Sequence, residues 1–137
     1  MLKYIRFKAP YLPSKISETI IGTRSGGSIV SIYAILKHYG IYKLRKIYEK
    51  CYNVASYFRD KVLRTGKFKV YGPLETPIVC FKPLTASTNK LLSKLKARGW
   101  IIYKCSLVNG LRIVFMPHVT MSVIRKLLDD LIYAVEY

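Results

Sequence analysis

Two hydroxyl-bearing residues, an arginine and three glycines stand together directly before a long apolar stretch of the sequence. They lie within the segment IIGTRSGGSIVSIYAIL, residues 20 to 36. Glycines let the backbone come close to an oxyanion, and the first turn of a helix offers unpaired N–H groups with a partial positive charge. The segment therefore predicts a loop that binds an anion, with Gly22, Thr23, Arg24 and Ser25 as its contacts.

A purely structural interpretation of the same loop stays open. Gly26 and Gly27 would then permit close packing, and Ser25 would cap the helix that follows. A Walker A loop is excluded, because that loop needs Gly-Lys-Ser/Thr at its end. Residue types and spacing indicate a phosphate, such as that of a nucleotide or nucleic acid, without identifying the molecule that carries it.

The remaining reactive side chains predict no metal site. Cys51, Cys80 and Cys105 are odd in number and far apart in the sequence, and neither His38 nor His118 lies at ligand spacing from any of them. Three free thiols are typical of a protein of the reducing cytoplasm. His118 follows a proline in the segment MPHVT, and we interpret it as a turn residue that orients the last helix, in preference to a catalytic one.

The elements that must position these residues follow from the spacing of apolar side chains. Residues 28–39 are apolar on nearly all sides, which is typical of a helix that is buried all round or lies in a subunit interface. Gly40 separates this helix from an amphipathic one over 41–64, whose apolar residues recur every three or four positions. Gly66 stands just past its end, where glycine is favoured.

Downstream of this helix the pattern predicts a small sheet and two more helices. Strands are expected at 68–71, 76–82, 100–106 and 111–116, the last two joined by a turn at LVNG. Helices are expected at 87–99 and 121–135, with Thr120 as the N-cap of the second. Long helices packed on a small, mainly antiparallel sheet make an α+β fold.

One domain accommodates the whole chain of 137 residues. We divide it into an extended segment with the anion-binding loop at 1–27, a helical segment at 28–66, and an α+β part at 67–137. The longest apolar stretch falls far short of the roughly 20 residues that span a bilayer, and the first residues contain no signal-peptide core. We expect a soluble cytoplasmic protein.

The charge balance is strongly basic. Lysines and arginines number 24 against seven carboxylates, so the formal net charge is +17. Such a field attracts polyanions and acidic partners. The basic residues are spread over every element, however, with neither zinc-finger spacing nor an RRM signature. A non-catalytic module that binds nucleic acid or an acidic protein stays the alternative function, with the 42–64 helix as its candidate surface.

Two segments together resemble a known family. PYLPSKISETIIGTRSGGSIVSIYAILKHYG (10–40) is similar to the segment that follows the cofactor-binding domain in group II pyridoxal-phosphate-dependent decarboxylases. GLRIVFMPHVT (110–120) is similar to the last strand of that family and the entry to its final helix, and ARGW (97–100) also fits its small domain. The resemblance is to the archaeal L-tyrosine/L-aspartate decarboxylases above all, and it covers the chain from about Pro10 onward.

The resemblance implies the small C-terminal domain of a fold-type I enzyme that works as a homodimer. In this family the large domain holds pyridoxal phosphate (PLP) as a Schiff base to a lysine, which would lie upstream of residue 1. The loop at 22–25 would face the PLP phosphate of the neighbouring subunit, with Thr23 supplying its hydroxyl and backbone N–H. Arg112 would match the arginine by which many fold-type I enzymes bind the α-carboxylate of the substrate. An arginine that is solvated or paired with a protein carboxylate is the alternative.

We therefore expect the truncated or split C-terminal domain of an amino-acid decarboxylase whose full form acts on L-tyrosine or L-aspartate. No residue of this chain would be catalytic by itself. The chain alone would bind no PLP and be inactive, because the cofactor needs the lysine and the pocket around its ring. It would associate with a second copy of itself or with an acidic chain that carries the cofactor domain.

Overall fold

The computed structural model describes residues 6–8, 16–17 and 25–136. The elements in chain order are β1 (Phe7–Lys8), β2 (Ile16–Ser17), α1 (Gly26–Arg64), β3 (Phe68–Tyr71), β4 (Ile78–Pro83), α2 (Thr88–Ala97), β5 (Tyr103–Cys105), β6 (Gly110–Val114) and α3 (Met121–Glu136). The chain divides into two compact units, one up to Ile41 and one from Tyr42 onward. Each unit is described below by itself.

The first unit contains β1, β2 and the beginning of α1. The two short strands pair antiparallel, with Phe7 opposite Ser17. α1 is interrupted at Gly40, whose φ of 66° and ψ of 163° are not helical. Glycine adopts a positive φ without steric cost, so the predicted break at this position is confirmed. The apolar side chains before the break are exposed on every side of the helix, at 64% for Ile29 and 60% for Ile32, for example.

The second unit begins with the remainder of α1, and its buried face follows the predicted spacing. The residues buried there are Cys51, Val54, Ala55, Phe58 and Val62. Their spacing of three and four places them on one stripe of the helix. The stripe starts later than predicted, because the turns before Cys51 are exposed or half-buried.

The sheet of the second unit has the strand order β3-β4-β6-β5, and every pair of neighbours is antiparallel. The predicted α+β architecture is confirmed. β5 is shorter than the predicted strand at 100–106, and a 3-10 turn follows it at Ser106–Val108. Trp100 is held by the helices, because its backbone N–H donates to the Leu95 carbonyl at 2.9 Å. That contact explains why the strand does not begin there.

The core lies between one face of this sheet and the helices. Alternation along β4 sends Val79 and Phe81 inward, where Phe81 packs against Phe58 of α1 with ring centroids 5.5 Å apart. α2 and α3 contribute further apolar residues, among them Leu95 and Leu131, which are fully buried. The side chains on the opposite face of the sheet are exposed or half-buried. Along β4 these are the alternate residues Ile78, Cys80 and Lys82.

Candidate functional site

Arg112 lies in the middle of β6, on the face of the sheet that points away from the core. Its cross-strand partners are Cys80 on β4 and Tyr103 on β5. The side chain is exposed. Within residues 6–8, 16–17 and 25–136, no carboxylate lies at ion-pair distance from its guanidinium. In this part of the chain, the alternative of an arginine paired with a protein carboxylate therefore finds no support.

The thiol next to Arg112 is not an activated nucleophile. Burial raises the pKa of Cys80, and its hydrogen bond and electrostatic interaction with Cys105 raise it further, whereas the positive charge of Arg112 works in the opposite direction. A raised pKa keeps this thiol protonated at neutral pH, and the thiolate is the reactive form. Of these two neighbouring side chains, the charged one at neutral pH is therefore Arg112.

Arg112 also lines a cavity of about 420 Å³ at the edge of the sheet. The cavity lies between β6, the segment 100–103 and the beginning of α3, and His118 contributes to its wall. The structure therefore brings Arg112 and His118 to one cavity. The sequence predicts only a turn residue at His118, since a separation of six residues across the end of a strand does not reveal a shared cavity.

The predicted anion-binding loop is described only at its end. Gly22, Thr23 and Arg24 lie outside the described residues, and Ser25, which is exposed, directly precedes α1. The first turn of α1 contains no acidic residue. A Cβ atom added at Gly26 would meet no atom within 4 Å. A helix N-terminus without negative charge favours an anion such as phosphate.

Two tyrosines of the basic helix after Gly40 form hydrogen bonds within the fold. Tyr52 Oη donates to the Leu74 carbonyl at 2.9 Å, and Tyr48 Oη donates to the Glu75 carbonyl at 3.2 Å. Both contacts fasten the loop between β3 and β4 to α1. One of the basic residues, Arg45, pairs with Glu49 at 2.8 Å on the exposed side of the helix.

Among residues 6–8, 16–17 and 25–136, no helix combines the length and the apolar character needed to cross a bilayer. No group of three or more histidine, cysteine or acidic side chains is placed to hold a metal ion in this part of the chain.

Comparisons of the sequence with known proteins give one consistent family. The sequence profile described as the pyridoxal-dependent decarboxylase conserved domain matches residues 3–84. A probable L-tyrosine/L-aspartate decarboxylase of Methanosphaera stadtmanae is 31% identical over 130 residues. An L-aspartate/L-glutamate decarboxylase of Pyrococcus horikoshii is 36% identical over 133 residues. Each alignment covers 95% of this chain and 33% of the relative, so the chain spans about a third of the length of these relatives.

Solved structures share the fold of this chain. A sphingosine-1-phosphate lyase of Burkholderia pseudomallei superposes with a TM-score of 0.76 over 98% of this chain, at 20% identity and over 31% of its own length. A glutamate decarboxylase of Lactobacillus brevis gives a TM-score of 0.68 over 98% of this chain, at 24% identity and over 33% of its own length. These likenesses confirm the predicted small-domain fold of fold-type I enzymes. They lend the nucleic-acid alternative no support.

Proposed function

The chain belongs to the pyridoxal-dependent decarboxylase family, and from this premise we propose that it is the small C-terminal domain of an enzyme that decarboxylates L-tyrosine or L-aspartate. The decarboxylases that it matches are about three times as long. The chain thus contributes binding groups to an active site whose other residues belong to a cofactor domain. That domain is part of the same polypeptide or of a separate chain.

Arg112 is the residue that supports this proposal most directly. Its guanidinium is exposed on the open face of the sheet and free of carboxylate partners within the described part of the chain. A guanidinium fork binds a carboxylate through two parallel hydrogen bonds, which fix its orientation as well as its position. A decarboxylase needs that control, because the bond to the departing carboxylate must be aligned before it breaks. We assign Arg112 to the substrate carboxylate.

The loop before α1 is assigned to the phosphate of PLP. Gly22, Thr23, Arg24 and Ser25 would bind it, supported by the first turn of α1, which contains no acidic residue. When bound, PLP supplies the sink for the electron pair that remains when the carboxylate leaves as CO₂. The loop holds one end of the cofactor and leaves the reacting end to the cofactor domain.

The exposed apolar side chains of α1 before Gly40 support association with another subunit. Exposed apolar surface of this extent on a helix marks an interaction site. We propose a homodimer in which the loop faces the cofactor of the neighbouring subunit, or a complex with a cofactor-domain chain. The net charge of +17 favours an acidic surface on that domain. The three free cysteines support a reducing, cytoplasmic location.

A chimera tests the proposed function. In the Pyrococcus horikoshii decarboxylase, the third that matches this chain is replaced by the 137 residues of the chain. We expect the chimera to release CO₂ from L-tyrosine or L-aspartate in the presence of PLP, and the host protein without the replaced third to release none. A folded chimera that binds PLP but decarboxylates neither amino acid would contradict the proposal.

The isolated chain serves as the matched control. Mixed with PLP and either amino acid, it is expected to release neither tyramine nor β-alanine, because nothing in it is proposed to hold the cofactor ring. Product formed by the isolated chain at a rate above that of free PLP would show that the cofactor ring does not need a separate domain, which would contradict the proposal.

A further inference from the structure

Two of the three cysteines lie on the face of the sheet that points away from the core, on either side of β6. Cys80 of β4 is the cross-strand partner of Arg112, and Cys105 of β5 is the cross-strand partner of Gly110. Alternate residues of a strand point to the same face, so residues 110 and 112 share this face with both cysteines. The whole of α2 separates the two cysteines in the sequence, and the pairing of the strands brings them together.

Gly110 keeps the space between the two thiols open. It contributes no side chain to this face, and a Cβ atom built there would clash with the backbone carbonyl of Phe81 and lie 3.0 Å from Cβ of Lys82. With no side chain of β6 in the way, the thiol of Cys80 forms a hydrogen bond with Cys105. Both cysteines are half-buried, so a small ion in solution has access to them.

The strand between the two cysteines excludes a disulfide. Neighbouring strands lie about 4.7–4.9 Å apart, so the backbones of β4 and β5 are separated by about 9–10 Å, whereas a disulfide needs Cα atoms within about 7 Å of each other. The two sulfur atoms therefore form no direct bond in this sheet. An ion placed between them spans the distance that a disulfide cannot.

The type and the number of these ligands select the metal. Thiolates are soft ligands, which favour Cu(I), zinc and iron–sulfur clusters. Zinc sites and iron–sulfur clusters need more than two protein ligands, and in the part of the chain that the structure describes no third histidine, cysteine or acidic side chain completes such a set. Cu(I) is satisfied by two thiolates on opposite sides of the ion, and it is the oxidation state of copper that a reducing compartment maintains.

The charges around the two thiols favour the complex that Cu(I) would form. Two thiolates and one Cu(I) ion carry a net charge of −1, and the positive side chains of Arg112 and Lys82 lie next to Cys80 on the same face. The other side chains that the strands place on this face are Lys69, Tyr71, Ile78, Tyr103 and Val114, none of which is acidic. Binding forms two sulfur–copper bonds and releases two thiol protons to the solvent, and no electron is transferred.

We propose that Cys80 and Cys105 form a two-coordinate site for Cu(I) on the open face of the sheet, across β6 at Gly110. Arg112 and Lys82 contribute positive charge beside the site and do not bind the metal. The site is independent of the proposed decarboxylase function, because it needs neither PLP nor a cofactor domain. Its binding is therefore measurable on the isolated chain.

Transfer of Cu(I) from its coloured complex with bicinchoninate measures this binding. In the absence of oxygen and with a reductant that contains no thiol, the chain should withdraw one Cu(I) ion per molecule. Cys80→Ala and Cys105→Ala should each withdraw none at the same concentration of bicinchoninate. Cys51→Ala is the matched control, because it removes the third thiol of the chain, which is buried on α1. It should withdraw as much Cu(I) as the unmodified chain.

The dependence of the affinity on pH counts the thiols that bind. Each thiol that becomes a ligand releases one proton, so two thiols should raise the apparent affinity for Cu(I) by about a hundredfold per pH unit below the thiol pKa values, and one thiol by about tenfold. Burial raises the pKa of Cys80, which keeps this thiol protonated over the range of the measurement. Titrations at pH 6 and pH 7 give the slope.

The proposal would be overturned if the unmodified chain withdrew no Cu(I), or if Cys80→Ala or Cys105→Ala withdrew as much as Cys51→Ala. A tenfold slope would also overturn it, because one thiol would then bind alone. One Cu(I) ion for every two chains would show a site shared between copies in place of the one proposed. Each of these results would leave the decarboxylase assignment standing, since that assignment is tested by CO₂ release from the chimera.

Discussion

The indole Nε1 of Trp100 donates a hydrogen bond of 2.6 Å to Oδ2 of Asp130, a carboxylate on the buried side of α3. The other oxygen, Oδ1, accepts from Arg98 Nε at 2.7 Å. The hydrogen bond from Trp100 lowers the pKa of Asp130 the most, and the Arg98 contacts lower it further against the opposing effect of burial. This carboxylate thus joins the end of α2 and the wall of the cavity to α3.

Asp130→Asn should lower the free energy of unfolding at neutral pH by about 1–3 kcal/mol, because it replaces one charged acceptor by an amide. The difference should depend on pH. A carboxylate with a pKa below its unfolded value of about 3.9 stabilises the fold above that value and loses this contribution as the pH falls through the folded pKa. Urea unfolding at pH 7 and at pH 3 measures both quantities.

The neighbouring Asp129→Asn is the control, since Asp129 is exposed. It should change the free energy of unfolding by no more than about 0.5 kcal/mol at either pH. A difference between Asp130→Asn and the unmodified protein that grows toward acid pH would contradict the role assigned to this carboxylate.

Phe58 packs against two other aromatic residues in the core of the second unit. It is fully buried, and its ring centroid lies 5.5 Å from that of Phe81 and 5.4 Å from that of Phe115. Phe58→Ala should therefore lower the free energy of unfolding by about 3–5 kcal/mol, through lost burial and the cavity left behind. Leu63→Ala on the same helix, where the side chain is 43% exposed, should cost far less. Equal losses in thermal or urea unfolding would show that the core lies elsewhere.

The apolar beginning of α1 should hold copies of the chain together. Ile32 and Leu36, one turn apart, are 60% and 49% exposed. Light scattering of the isolated chain should give the mass of a dimer, because burial of such a face between two copies removes apolar surface from water. The Ile32→Glu, Leu36→Glu double variant should give the monomer mass. A monomeric unmodified chain at micromolar concentration would contradict the proposed interface.

Local pattern was sufficient to predict most elements of the fold. The spacing of Val54, Phe58 and Val62 located the buried face of α1, and the strand predicted at 76–82 corresponds to β4 at Ile78–Pro83. Gly40 marked the break in the helix, since only glycine adopts its backbone angles freely. These features depend on neighbours in sequence, and a single sequence contains that information.

Features that depend on distant residues were not predictable in the same way. The late start of β5 results from contacts of Trp100 with Leu95 of α2 and Asp130 of α3. The contact with α3 joins parts of the chain that are far apart in sequence. The cavity shared by Arg112 and His118 likewise requires the register of β6 and the position of α3. Family resemblance singled out Arg112, but its setting followed only from the fold.

The most direct measurement is the steady-state rate of decarboxylation by the chimera with Arg112 and with Gln at this position. If Arg112 holds the substrate carboxylate, Arg112→Gln should reduce kcat/KM by about tenfold to a hundredfold, with PLP binding unchanged. Arg125→Gln, which removes an exposed arginine of α3 outside the cavity, should leave kcat/KM within twofold of the starting value. Equal values of kcat/KM for the Arg112 and Gln proteins would contradict the assignment.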